Sequence, residues 1–106
     1  MKYGVFTLPS LYYEVISKLS IEEQDRIRKI AEQLVNNPYV GDQLQIRSLR
    51  EKRLDEKRIY YFVFDDLKSV LVVAISDKKT QQKTIDLLIS RVNEYRNYVK
   101  KLLSLS

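Results

Sequence analysis

The sequence contains no cysteine, histidine or tryptophan, and only two glycines and two prolines among its 106 residues. Without cysteine it forms neither a disulfide nor a thiolate metal site, which fits a cytoplasmic protein. Without histidine it lacks the side chain that most often exchanges protons near neutral pH. Because glycine and proline are scarce, there is little room for linkers, and we expect residues 1–106 to form one domain.

Long hydrophobic runs are also missing. No apolar stretch reaches the ~20 residues that span a bilayer, so we expect no membrane partner. Charge, in contrast, is abundant, with 19 lysines and arginines against 14 acidic residues and a net charge of +5. Such an excess favours an acidic partner such as nucleic acid, although lysines that only aid solubility would give the same balance.

Hydrophobic periodicity in the first third of the chain predicts a short strand followed by a helix hairpin. Residues 3–8 are apolar and β-prone, and Pro9 ends this strand. Ser10 is the expected N-cap of a first helix that continues to about Leu19. Ser20 and the glutamate three residues later form a capping box, which starts a second helix that ends before Pro38.

The remainder of the chain predicts three strands and one long helix. Residues 45–54 are charged and suit an edge strand, residues 57–64 alternate, and residues 69–76 suit a central strand buried on both faces. Thr84 is the expected N-cap of the last helix. The predicted order β-α-α-β-β-β-α gives an α+β fold, a small antiparallel sheet with helices mainly on one side.

Apolar residues recur every three or four positions along the last helix, from Ile85 to Leu102. One interpretation is that this helix lies along its own sheet. The alternative is that its distal half, from Tyr95 onward, projects and contacts another chain, which would allow self-association through the C-terminal helix. A helix of about 20 residues is ~30 Å long, which exceeds a small sheet and favours some partner contact.

Basic residues concentrate on the two hairpin strands and just before the last helix. Cations bind phosphates, and an exposed aromatic such as Tyr60 stacks an unpaired base. Alternatively, Glu51, Asp55 and Glu56 neutralise these cations in surface pairs, and the aromatics belong to the core. The basic residues are Arg47, Arg50, Lys52, Arg53, Lys57, Arg58, Lys78, Lys79 and Lys83.

RNA cleavage without histidine requires another proton acceptor. Nearby positive charge lowers the pKa of a lysine, so a lysine among these arginines is one candidate for removing the ribose 2′-hydroxyl proton. Glu51 is the other candidate, and the arginines would stabilise the charge on phosphorus. Asp65 and Asp66 are most simply a turn, and we expect no metal and no cofactor.

Several short motifs, taken in order, resemble the RelE/ParE toxin superfamily. They are NPYVGDQL before the sheet, LREKR and KRIYYFVF in the hairpin, and DKKTQQKT before the last helix. The basic segment 78–84, followed by IDLLISRVNEY, is similar to the phage-derived HigB-like branch. The resemblance extends from about residue 10 to residue 95 and implies a single RelE/HigB-like toxin domain with a RelE-like fold.

By this resemblance the chain would be the toxin of a type II toxin–antitoxin system. It would act with the ribosome as a metal-independent mRNA endoribonuclease, by 2′-hydroxyl attack on the adjacent phosphate, and a cognate antitoxin would bind it. The alternative is a non-enzymatic binder with the same fold, either a gyrase inhibitor of the ParE type or an inactive relative. A DNA-binding regulator is less favoured, because the helix hairpin has no helix-turn-helix signature.

The resemblance also assigns site residues. Arg53 matches the arginine that closes the first hairpin strand, and Arg58 matches the phosphate-binding arginine of the next strand. Three lysines match the basic motif before the last helix. The basic and aromatic pattern of the hairpin and the resemblance together give two sets of candidates. The candidate catalytic residues are Arg53, Arg58, Lys79 and Lys52, and the candidate RNA-binding residues are Arg50, Lys57, Lys78, Lys83 and Tyr60.

Overall fold

The computed structural model describes residues 2–105 and has the predicted α+β architecture. Short 3-10 turns at Ile16–Lys18 and Asp65–Leu67 join some of the elements. The strands are β1 (Gly4–Thr7), β2 (Asp42–Gln43), β3 (Leu49–Leu54), β4 (Lys57–Phe64) and β5 (Ser69–Asp77). The helices are α1 (Pro9–Glu14), α2 (Ile21–Asn36), α3 (Gln81–Ser90) and α4 (Val92–Ser104).

The strands form one sheet in the order β1-β5-β4-β3-β2. Three neighbouring pairs are antiparallel, as predicted, whereas β1 runs parallel to β5, which corrects the predicted antiparallel sheet to a mixed one. Residues 42 and 43, which lie outside the predicted strands, pair with β3 as a short edge strand. The charged strand begins at Leu49 and not at residue 45.

Both faces of the sheet are covered by helices, which corrects the prediction of helices mainly on one side. In β4, Ile59, Tyr61 and Val63 pack in the core beside α1 and α2. The alternate residues of the same strand pack with α3 and α4. Because both faces of β4 and β5 are apolar, each face needs its own cover. The prediction that β5 is buried on both faces is confirmed for residues 69–73.

The helix hairpin is shorter than predicted at its start. α1 ends at Glu14 and is followed by a 3-10 turn, because the β-branched pair Val15 and Ile16 suits a continuous helix poorly. Ser10 lies inside α1 and does not cap it. The capping box is confirmed, since the Glu23 backbone N–H donates to Ser20 Oγ at 3.1 Å and the Ser20 N–H donates to Glu23 Oε1 at 3.4 Å.

The C-terminal helices begin and divide at unpredicted places. α3 starts at Gln81 and not after Thr84, because Asp77 Oδ1 accepts hydrogen bonds from the Thr80 N–H at 2.9 Å and the Thr80 hydroxyl at 3.0 Å. These bonds close the turn in front of the helix. Arg91 (φ −116°) separates α3 from α4, so the predicted single long helix is two helices.

The distal half of the C-terminal segment lies on its own sheet. Val99 is fully buried, and the ring centroid of Tyr95 is 5.3 Å from that of Phe62 in β4. The interpretation that the last helix lies along its own sheet is therefore confirmed, and the alternative, that its distal half projects, is wrong. No helix within residues 2–105 is long and apolar enough to cross a membrane.

Candidate functional site

An open cleft of about 950 Å³ lies beside the turn of the β3–β4 hairpin. Its walls come from the hairpin, the end of β5 and the first turn of α2. We refer to it as the basic cleft, because five of its nine lining residues are arginine or lysine. The lining residues are Glu23, Arg53, Asp55, Glu56, Lys57, Arg58, Asp77, Lys78 and Lys79.

Strand register brings three predicted catalytic residues into this cleft. Arg53 is directly opposite Arg58 in the antiparallel β3–β4 pair. Arg58 is in turn opposite Ser76, near the end of β5, and Lys79 follows in the exposed turn before α3. Like charges directly opposite each other destabilise a sheet. A bound anion such as a phosphate would relieve this repulsion.

The acidic residues of the basic cleft are largely engaged with other groups. Glu23 Oε2 accepts from Lys57 Nζ at 2.7 Å, and this bond lowers the pKa of Glu23. Asp55 forms an ion pair with Arg26. Asp77 caps the turn before α3. Within residues 2–105, no ion pair joins a carboxylate to Arg53, Lys78 or Lys79, so these side chains are available to an anionic ligand.

Arg58 is held at the floor of the basic cleft. Its Nε lies 3.9 Å from Glu51 Oε1, and the two side chains are 16% and 13% exposed. The other carboxylate oxygen, Glu51 Oε2, accepts from Gln81 Nε2 at 2.9 Å. This network links β3, β4 and α3 and limits the rotation of the Arg58 side chain. Sequence reasoning missed Gln81, whose only signal is its place next to the basic motif.

No protein-family model and no curated protein sequence matches the chain. Solved structures do match. The intact Escherichia coli RelBE toxin–antitoxin complex matches with a TM-score of 0.62 at 16% identity, over 71% of this chain and 95% of the other. The archaeal RelE–RelB complex from Pyrococcus horikoshii matches with a TM-score of 0.62 at 17% identity, over 74% of this chain and 97% of the other. A mutant of the E. coli toxin RelE in the free state matches with a TM-score of 0.65 at 16% identity, over 77% of this chain and 90% of the other.

This chain has the RelE fold. In this fold the basic cleft is built from the hairpin β3–β4, the C-terminal end of β5 and the turn that follows β5. The same elements carry most of the basic residues that the sequence singled out. Within residues 2–105, no group of three or more acidic side chains is arranged to hold a metal ion.

Two of the other predicted residues lie on the opposite face of the sheet. Lys52 is opposite Ile59 and does not line the basic cleft. It lines a neighbouring groove, which shares Arg53 and Asp55 with the basic cleft. Arg50 donates from Nη1 to the carbonyl oxygen of Gly41 at 2.6 Å, which ties its guanidinium to the loop before β2.

Tyr60 and Lys83 also lie away from the basic cleft. The Tyr60 ring is fully buried and its hydroxyl is 2.7 Å from Ser76 Oγ, so the exposed stacking aromatic expected at this position is not there. Burial also raises the pKa of the Tyr60 hydroxyl. Lys83 is exposed on α3 and does not line the basic cleft. Lys57 does line it, but its charge is paired with Glu23.

Proposed function

We propose that this chain is the toxin of a type II toxin–antitoxin pair and that it cuts messenger RNA with the ribosome in the cytoplasm. The convergence of Arg53, Arg58 and Lys79 in one open cleft on a RelE fold supports this proposal. Structures with the same fold include RelE bound to RelB, so we expect a cognate antitoxin as the protein partner. The basic motif at residues 78–84 favours the HigB-like branch.

The proposed reaction is an in-line displacement at a backbone phosphate. The ribose 2′-oxygen bonds to phosphorus, and the bond from phosphorus to the 5′-oxygen breaks. The products are a 2′,3′-cyclic phosphate and a 5′-hydroxyl, which takes up a proton. Arg53 and Arg58 would hold the phosphate and stabilise the negative charge that develops on its oxygens.

Lys79 is the proposed base, because Lys52 lies on the opposite face. Glu51 does not line the basic cleft and its carboxylate is held by Gln81, so its proposed part is to position Arg58. As the proposed base, Lys79 would take the proton of the ribose 2′-hydroxyl when the 2′-oxygen attacks phosphorus.

The central test replaces Arg58 with alanine. We expect Arg58→Ala to abolish growth inhibition and to lower the rate of message cleavage by roughly 10²–10³-fold, because a fixed donor to the developing oxyanion is lost. Growth after induced expression and mapping of message ends in a translation reaction measure the two effects.

Lys100→Ala is the matched control. It also removes one cation, from the exposed face of α4 outside the basic cleft. Thermal unfolding of both variants would show that the fold persists. If the Arg58→Ala variant were fully toxic, the assignment of Arg58 to the catalytic site would be wrong.

A second candidate function is a non-enzymatic binder of this fold, such as a gyrase inhibitor. Two observations favour it: the fully buried Tyr60 leaves no stacking aromatic at that position, and Lys57 is neutralised by Glu23. Translating ribosomes and a DNA supercoiling reaction separate the candidates. Cleaved message with unaffected supercoiling supports the nuclease, and intact message with inhibited supercoiling supports the gyrase inhibitor.

A further inference from the structure

Tyr60 is fully buried two residues after Arg58, and alternation along β4 places both side chains on one face of the sheet. The direct partner of Tyr60 in β5 is Ala74, and Ser76 is its diagonal neighbour. Diagonal neighbours of an antiparallel pair are within reach of a long side chain, and the Tyr60 hydroxyl lies 2.7 Å from Ser76 Oγ. A phenylalanine would fill the same space in the core, so packing alone does not account for this hydroxyl.

The hydrogen bonds of Ser76 fix the direction of the bond to Tyr60. The Ser76 hydroxyl has one proton and donates it to the carbonyl oxygen of Asp77 at 3.0 Å. The bond between Tyr60 and Ser76 must therefore use the proton of the tyrosine. Burial raises the pKa of the Tyr60 hydroxyl, so it stays protonated and remains a donor. These two hydrogen bonds lead from the core to the Asp77 carbonyl, and we refer to them as the hydroxyl chain.

The hydroxyl chain ends at the peptide bond where β5 passes into the turn before α3. The Asp77 carbonyl belongs to the peptide that joins Asp77 to Lys78, so the orientation of this peptide directs the backbone into Lys78 and Lys79. Residues 77–80 are exposed, so they depend on hydrogen bonds more than on packing. The Asp77 carboxylate fixes the far end of the turn through Thr80, and the hydroxyl chain fixes the near end.

We propose that Tyr60 is a positioning residue, which acts through Ser76 to hold the turn that places Lys79 in the basic cleft. This inference rests on the proposed function, in which Lys79 takes the proton of the ribose 2′-hydroxyl. Because Tyr60 is fully buried, it does not touch the RNA itself. A base must lie within about 3 Å of the hydroxyl that it deprotonates, and an error of about 1 Å costs roughly 100-fold in rate. A loose turn would hold Lys79 at this distance for only part of the time.

Backbone ¹⁵N relaxation tests this positioning without any substrate. Tyr60→Phe removes the first donor of the hydroxyl chain and keeps the ring in the core. We expect the order parameters of the Lys78 and Lys79 amides to fall from about 0.85, the value of a rigid backbone, toward about 0.6. Ser76→Ala breaks the hydroxyl chain one step nearer the turn and should have at least the same effect.

Tyr61→Phe is the matched control. Tyr61 is the next residue of β4 and is equally buried, and its hydroxyl accepts from the Gly41 N–H on the other face of the sheet. Tyr61→Phe also removes one buried hydroxyl, but it should leave Lys78 and Lys79 ordered. Unchanged order at these two lysines in Tyr60→Phe, or an equal loss of order in Tyr61→Phe, would overturn the proposal.

Message cleavage in a translation reaction gives the second measurement. Tyr60→Phe should lower the maximal cleavage rate about tenfold, because the base is displaced. The ribosome concentration that gives half of this rate should not change, because Arg53 and Arg58 still hold the phosphate. Tyr61→Phe should change neither quantity. A changed half-maximal concentration with an unchanged maximal rate would contradict a positioning role for Tyr60.

The two proposals fail in different ways. If the unsubstituted chain cleaves message and Tyr60→Phe cleaves it at the same maximal rate, the positioning role is overturned and the RNA-cleaving function stands. If the unsubstituted chain cleaves no message but Lys78 and Lys79 lose order in Tyr60→Phe, the RNA-cleaving function is overturned and Tyr60 remains the residue that fixes the turn.

Discussion

Gly41 lies where the loop before β2 meets the sheet. Its N–H donates to the Tyr61 hydroxyl at 2.9 Å, and its carbonyl oxygen accepts from Arg50 Nη1 at 2.6 Å. A Cβ atom at position 41 would lie 2.3 Å from the Glu51 carbonyl oxygen and 2.6 Å from the Tyr61 hydroxyl. This close approach of two backbone segments therefore needs glycine.

We expect Gly41→Ala to lower the free energy of unfolding by about 1–3 kcal/mol, because the β3 backbone would have to move to admit the methyl group. Urea denaturation measures this change. Gly4→Ala is the matched control, since its nearest contact would be the side-chain atom Phe6 Cε2 at 3.2 Å. Equal stability of the two variants would contradict the interpretation.

Single residues also show which part of the site was predictable. Arg53 and Lys52 are adjacent in one strand, so their side chains point to opposite faces, and alternation predicts that only Arg53 shares a face with Arg58, its direct partner in β4. Tyr60 shares a face with Phe62 and Phe64, which is the face that α3 and α4 cover. Gln81 was unpredictable, because its partner Glu51 is distant in sequence and meets it only in the folded sheet.

The start of α2 depends on the capping box of Ser20 and Glu23. Ser20→Ala should lower the free energy of unfolding by about 1 kcal/mol and the melting temperature by about 4 °C, because the Glu23 backbone N–H loses its acceptor. Differential scanning calorimetry measures both. Ser10→Ala is the control, because Ser10 has the same side chain but caps no helix. A similar loss of stability in both variants would contradict a capping role.

The element order was largely predictable, but some boundaries and pairings were not. The apolar seam continues across Arg91, so periodicity gives no sign of the break between α3 and α4. The parallel partner of β1 is β5, which is distant in sequence because Gly4 pairs with Ser69, and no local pattern encodes this pairing. Helices on both faces were predictable, since both alternating sets of residues in β4 are apolar.

For the whole molecule, acid should be the main pH-dependent destabiliser. Among the carboxyl groups of residues 2–105, five have their pKa lowered in the folded chain, and the ordinary values are 4.5 for glutamate and 3.8 for aspartate. A lowered pKa stabilises the fold at neutral pH, and this stabilisation is lost as pH falls through the ordinary value toward the folded one. The largest contributions are from Lys57 to Glu23, Arg28 to Asp25, Tyr39 to Asp65, Arg96 to Asp66 and the Thr80 N–H to Asp77.

We therefore expect the free energy of unfolding to be nearly constant from about pH 8 to pH 5 and to fall steadily below about pH 4.5. Urea titrations at each pH measure this curve. In Tyr39→Phe the free energy of unfolding should fall less steeply below about pH 4.5, because the Asp65 carboxylate loses the donor that contributes most to its lowered pKa. A steep change between pH 6 and pH 7 would contradict the expectation, since the sequence has no histidine to titrate there.

The parallel pairing of β1 with β5 has a consequence for synthesis. Gly4 pairs with Ser69 and Thr7 pairs with Val72, so β1, the first of these five strands to be synthesised, cannot pair until β5 has been made. Non-local pairings of this kind form late and slow the folding of a domain. The nascent chain therefore carries Arg53 and Arg58 before it carries Lys79, and a product that stops short of β5 lacks both the closing strand and the third cation.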